Sequence, residues 1–263
     1  MQITIAPSDK KIEYNTGLVL SGGGTRGFAH LGVLKALEER GIKPDIISGV
    51  SAGAIAGALY ADGKSPEQIL EIFTSHKLLH YLEFAILKTG FLNMSGFEKT
   101  LNDHLDAKIF EDLKIPLKVF AVNLNTAEYV CFDKGALSPA VKASSAIPVL
   151  FPPVKIGNHL YSDGGTMNNF PVEPLLGKCQ RIIGISLNPM GTVKNITNVK
   201  QIAERIFQLA IRSHALDRKD WCDLYIEPEG VDEYGFLQIS NAKKIFELGY
   251  NAGRKRLEEI GWG

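Results

Sequence analysis

The sequence predicts an α/β fold in which a parallel sheet is covered by helices. Strand-like and helix-like segments alternate from Gly17 onward, the pattern of consecutive βαβ units. The composition, 22% charged and 45% hydrophobic, is that of a globular chain with a sizeable core. No internal repeat, low-complexity tract or linker interrupts the 263 residues, so one domain is expected over 1–263.

The elements follow in order. TGLVLS (16–21) reads as a strand and FAHLGVLKALEERG (28–41) as the helix after it. DIISGV (45–50) is the next strand. SAGAIAGALYADG (51–63) is a helix so rich in Ala and Gly that it can lie close against the sheet. Ser65-Pro66-Glu67-Gln68 combines an N-cap, an N1 proline and a capping-box partner, which starts a third helix. Ser95-Gly96-Phe97-Glu98 announces a fourth in the same way.

PLKVFAVNL, EYVCF, NHLYS, RIIGISL and DLYIEP supply later strand-like runs. In SPAVKASSAIPVLFPPV (138–154) a short helix begins near Ser138 and gives way to an irregular connection. Helical patterns at 199–219 and 241–259 close the chain, and residues from about 180 on are expected to complete the sheet and its cover.

Lys plus Arg equals Asp plus Glu at 29 each, so the net charge gives no general attraction to nucleic acid or anionic membranes. No nucleic-acid partner is expected. The first seventeen residues show no basic segment followed by an apolar run, and the longest uncharged stretch, 46–61, is too short to span a bilayer, so the cytoplasm is the expected location. Cys131, Cys179 and Cys222 are widely spaced, which fits buried free thiols in a reducing compartment. The sequons at Asn93 and Asn195 read as chance, and no acidic DxDxDG-type loop suggests calcium. No metal or other cofactor is expected.

Three motifs carry chemistry. Gly49-Val50-Ser51-Ala52-Gly53 is a G-x-S-x-G between an apolar strand and an Ala-rich helix, the setting in which a strained turn lifts a serine hydroxyl above a sheet. Ser51 is the candidate nucleophile. Gly22-Gly23-Gly24-Thr25-Arg26-Gly27 joins the first strand to the first helix, where glycine N–H groups can converge on a developing oxyanion, with Gly23 and Gly24 as the donors. Arg26 either holds a phosphate head group or braces the loop against the protein's own carboxylates. This hexapeptide also spells the dinucleotide fingerprint G-x-G-x-x-G, but the acidic residue at about the right count, Asp45, opens the second strand instead of ending it.

Asp163-Gly164-Gly165 is the third motif, a turn sequence in its own right that also offers a carboxylate as base. In the chain order of serine, acid and histidine only His214 follows Asp163, and IRSHALDRKD reads as an exposed helical stretch. His30 opens the helix after the glycine loop, where packing or capping is its expected role.

GGGxRG, GxSxG and DGG in this order resemble the patatin-like phospholipases, in a bacterial-type, single-domain form, over roughly residues 18–176. The resemblance implies a three-layer α/β/α sandwich with a mostly parallel central sheet, related to the catalytic domain of cytosolic phospholipase A2. It also implies a Ser51–Asp163 dyad without a catalytic histidine, a glycine-loop oxyanion hole over Gly22–Gly27 beside Arg26, and a place near the site for Ala146-Ile147-Pro148. Phe151, Pro152 and Pro153 are either channel lining or packing.

The implied substrate is a lipid or other acyl ester, with peripheral membrane contact at most. The alternatives are a thioesterase or small-ester esterase without interfacial preference, and a nucleotide- or phosphate-binding module. Residues 69–92, apolar with few charges, are either an interfacial segment or a core-packing helix pair. The sequence leaves the oligomeric state open.

Overall fold

The computed structural model describes residues 11–75, 94–148, 150–189, 196–235 and 239–262. Eight strands form one sheet in the order β5-β6-β3-β2-β1-β7-β8, with β4 also paired to β3. They are β1 (Tyr14–Leu20), β2 (Ile46–Val50), β3 (Leu117–Asn123), β4 (Glu128–Phe132), β5 (Val154–Ile156), β6 (His159–Asp163), β7 (Cys179–Ile185) and β8 (Leu224–Ile226). The run from β3 through β2, β1 and β7 to β8 is parallel, whereas β4, β5 and β6 pair antiparallel.

Side chains alternate across this sheet, and both faces are buried. Leu18, Leu20, Ile47, Ile183 and Ile185 join one core cluster, while their neighbours Val19, Ile46 and Ile182 join another on the opposite face. The first face is covered by α1 (Phe28–Glu39), α2 (Ala52–Ala61), α3 (Pro66–Thr74) and α7 (Ala242–Ile260), with α1 and α7 packed on each other. The second face carries α6 (Val199–Leu216), whose Ala215 packs with Phe170, Val172 and Leu175. α4 (Ser95–His104) and α5 (Leu137–Ser144) complete the set among the described residues. The result is a three-layer α/β/α arrangement with a mixed, mostly parallel sheet.

The Ser65 capping box forms, with Ser65 Oγ accepting from Gln68 N–H and Gln68 Oε1 accepting from Ser65 N–H. The connection after α5 has no regular element among its described residues up to Pro153, and β5 begins where it ends. Two expectations need correction. At the fourth helix the cap position is Met94 and Ser95 is already helical, so the expected serine cap is not formed. Of the cysteines, only Cys179 is buried; Cys222 is half-buried and Cys131 is exposed, because β4 pairs on one edge only and lies at the margin of the sheet. Asn93 and Asn195 lie outside the described residues.

Candidate active site

β2 ends at Val50, and Ser51 caps α2 with φ 53 and ψ −122. A positive φ is strained for any residue with a Cβ, so the surroundings must hold it. They do so from several sides. Ser144 Oγ accepts the Ser51 N–H at 2.9 Å, and the Ser51 carbonyl accepts the N–H groups of Ala54 and Ile55. Gly49 lies beneath the helix at the end of β2. A Cβ on Gly53 would stand 2.2 Å from the Leu20 carbonyl oxygen, so α2 can lie this close to β1 only with glycine there. The small-residue composition of α2 thus fixes the height of the serine above the sheet.

Strand register brings Asp163 to the same place. β4 occupies one edge of β3 from Val119 to Asn123. On the other edge β2 runs parallel as far as Val50↔Phe120, and β6 comes in antiparallel from Ala121↔Asp163. The two strands therefore meet end to end along a single edge, and the residues at their meeting ends are Ser51 and Asp163.

Asp163 is 1% exposed, and burial pushes its carboxyl up to about 7; interactions with the Ser51 hydroxyl and the Gly165 amide pull it down only in part. The Gly165 N–H donates to Asp163 Oδ1 at 2.7 Å, within the short 3₁₀ turn Gly164–Thr166. Asp163 N–H and Ser162 Oγ both donate to the Ala146 carbonyl, which puts the Ala146-Ile147-Pro148 segment behind the acid.

The glycine loop completes the constellation. Gly22 abuts the serine: a Cβ there would lie 3.0 Å from Ser51 Cβ and 2.4 Å from Asn169 Oδ1. Gly24–Gly27 form a 3₁₀ turn leading into α1, and Gly24, Thr25 and Gly27 border the cavity above Ser51. Arg26 is buried and donates through Nε to the Tyr234 carbonyl and through Nη2 to the Asp232 carbonyl, while Thr25 Oγ1 donates to Gly235 O. These bonds tie Arg26 to backbone carbonyls of the 232–234 segment, in place of the carboxylate or phosphate expected from the sequence. Asp45 accepts the Thr16 N–H at 2.8 Å at the N-terminal end of β2, the wrong end of the sheet for a ribose.

His30 is fully buried and its Nε2–H donates to the Ser21 carbonyl at 2.8 Å, beneath the loop. Burial holds its pKa down at about 4. His104 and His159 are exposed. His214 falls on α6, but its side chain lies outside the described residues, as do His76 and His80.

The cavity beside Ser51 measures about 160 Å3 and is walled by Phe28 and Leu31 of α1, Ile55 and Ala56 of α2, and Ile69 and Phe73 of α3. Met94, Phe97, Ile147 and Phe151 close it from the other side. Phe151 therefore lines the space, whereas Pro152 and Pro153 do not border it. In the described part of the apolar 69–92 segment, up to Ser75, Ile69 and Phe73 line the cavity while Glu71 and Ser75 are exposed; the remainder lies outside the described residues. Sequence reasoning passed over Ser144 at the end of α5 and Asn169 and Asn188 in loops, because a lone polar residue gives no signal until the fold brings it to a motif.

The family model for the patatin-like phospholipases matches residues 18–176, a stretch holding all three motifs. The chain belongs to the patatin-like phospholipase family. An uncharacterized NTE family protein of Mycobacterium tuberculosis is 30% identical over 215 residues, covering 76% of this chain and 60% of that protein. Patatin-like phospholipase domain-containing protein 7 of Rattus norvegicus is 30% identical over 275 residues, 90% of this chain but 20% of its own length. Lysophospholipase NTE1 of Saccharomyces cerevisiae is 28% identical, with 93% of this chain and 16% of that protein covered. This patatin-like chain thus spans about 60% of its mycobacterial relatives and a fifth or less of these two eukaryotic ones.

Among solved structures, VipD from Legionella pneumophila has the same fold at a TM-score of 0.57 and 16% identity, over 98% of this chain and 72% of that one. ExoU from Pseudomonas aeruginosa, solved in complex with SpcU, matches at 0.52 and 18% over 95% and 53%.

Proposed function

We propose that this patatin-like chain is a serine hydrolase of lipid acyl esters, with Ser51 as nucleophile and Asp163 as its base. The observation that carries the reading is a buried carboxyl with a pKa near neutrality, interacting with a serine on a strained strand-to-helix turn, at the floor of an apolar cavity. A carboxyl at its ordinary 3.8 would be a poor base for a hydroxyl, and burial removes much of that mismatch. In the proposed reaction Asp163 takes the Ser51 proton as Oγ attacks the ester carbonyl, and the N–H groups of Gly23 and Gly24 stabilise the oxyanion. Collapse expels the alcohol, which takes the proton from Asp163, and a water activated by the same carboxylate then hydrolyses the acyl-enzyme.

The apolar walls of the cavity favour a hydrocarbon chain as the acyl part. Contact with a lipid surface is supported by α6, where Ile202, Ile206, Leu209 and Leu216 are exposed at helical spacing. α6 also packs against the turn that carries Asp163. No helix among the described residues is long and apolar enough to cross a membrane.

The test is hydrolysis of a p-nitrophenyl ester and of phosphatidylcholine micelles by wild type, Ser51→Ala, Asp163→Asn and His214→Ala, with folding checked by circular dichroism. Loss of both activities in Ser51→Ala and Asp163→Asn, with His214→Ala near wild type, is expected. Loss in His214→Ala would replace the dyad by a triad, and full activity in Ser51→Ala would remove the reading.

A further inference from the structure

The Gly22 carbonyl is held by more donors than a loop peptide needs. Asn188 Nδ2 donates to it at 2.9 Å, Ser21 Oγ at 3.0 Å and Asn169 Nδ2 at 3.4 Å. Both asparagines are buried, at 3% and 2% exposure. They come from opposite sides of the site, Asn188 from just beyond β7 and Asn169 from the segment after the Asp163 turn. Asn188 is itself fastened, since Arg212 of α6 donates to its backbone carbonyl at 2.8 Å.

We infer that Asn188, assisted by Asn169, is a positioning residue that aims the Gly23 N–H at the oxyanion. In a trans peptide the Gly22 C=O and the Gly23 N–H point in opposite directions across one plane. Pinning the carbonyl therefore fixes the amide on the other side. Between two glycines that plane would otherwise turn easily, and a donor that must be reoriented during the reaction contributes less than one already in place.

A second observation separates this role from packing. Asn188 Oδ1 is buried with no hydrogen-bond partner, which lowers stability. Flipping the amide would set Oδ1 against the Gly22 oxygen, so donation by Nδ2 explains the residue and its orientation.

The inference rests on Gly23 serving as an oxyanion donor in the proposed reaction, and the experiment separates the two. Wild type, Asn188→Ala, Asn169→Ala and Ser51→Ala are assayed on a soluble p-nitrophenyl ester and on its thionoester, whose sulfur accepts hydrogen bonds weakly. Asn188→Ala is expected to lower kcat on the oxygen ester at least tenfold with KM within threefold, and to shrink the oxygen-to-sulfur preference. Asn169→Ala, at the longer contact, should do the same to a smaller degree. If Asn188→Ala does not fold, Asn188→Ser is measured against the same criteria. A kcat within threefold of wild type, or an equal fall on both esters, overturns the inference while the hydrolase reading stands. An active Ser51→Ala overturns both.

Discussion

Replacing Asp163 by Asn should abolish activity and yet stabilise the protein above neutral pH. The folded state holds the Asp163 proton up to about pH 7, whereas the unfolded chain releases it near 3.8. Between these values the folded state binds the extra proton, so stability falls as pH rises through that window and levels off above it. At about 1.36 kcal/mol per pH unit the ionised carboxylate costs on the order of 4 kcal/mol at pH 8. Asparagine is neutral throughout and can still accept the Gly165 N–H through its Oδ1.

His30 runs the other way. Its pKa is pressed from 6.5 to about 4, so stability is full above 6.5 and is lost as pH falls toward 4. In the wild type the two slopes oppose each other from about pH 4 to 6.5, and the curve alone is uninformative. The difference between Asp163→Asn and wild type isolates the carboxyl. Urea unfolding at pH 5, 6, 7 and 8 should show the variant's advantage growing by about 1.4 kcal/mol per pH unit and saturating above pH 7. A difference that stays flat across this range, or a wild type more stable than the variant at pH 8, would refute the burial of an ionisable Asp163 as the source of its basicity.

Two further outcomes follow from the same geometry. Ser51→Gly should be more stable than Ser51→Ala by roughly 1 kcal/mol in thermal or urea unfolding, because φ 53 is strained for alanine and free for glycine; equal stabilities would mean the turn carries no strain. Ile206→Asp together with Leu209→Asp should lower hydrolysis of phospholipid vesicles at least tenfold while turnover of a soluble ester stays near wild type; equal vesicle activity would remove α6 from the lipid contact.

How far the sequence reaches depends on whether a feature is local. Ser51 and the glycines around it are legible because a strand-to-helix turn this tight admits only small residues, so the constraint is written into five consecutive positions. The Ser65 cap is legible for the same reason. The antiparallel entry of β6 is not: NHLYS looks alike in either direction, and only the β3 register shows that Asp163 arrives at the end of β2. The alternatives for Arg26 stay open in sequence because a cation's partner is a tertiary fact; here it is a pair of carbonyls more than 200 residues away. Asn188 lies beyond a strand with no motif of its own, and the sequence holds nothing that ties it to Gly22.

Several departures from ordinary stability rules fall together, while Ala127 at φ 56 in the β3–β4 turn and the buried, unpartnered Ser138 Oγ at the start of α5 stand outside this group. Ser51 is strained, Asp163 is a buried acid, and His30 Nδ1 and Asn188 Oδ1 are buried without partners. All four lie at or just beneath the C-terminal ends of β1, β2 and β7 or the meeting end of β6, where parallel α/β sheets place their ligands. Elsewhere the sheet is largely apolar on both faces, with a third apolar cluster around Ala121 of β3. Unfavourable terms scattered over the molecule would be defects of packing. The four grouped at these strand ends fit the proposed reaction, which needs charge and polarity held ready at a cost in stability.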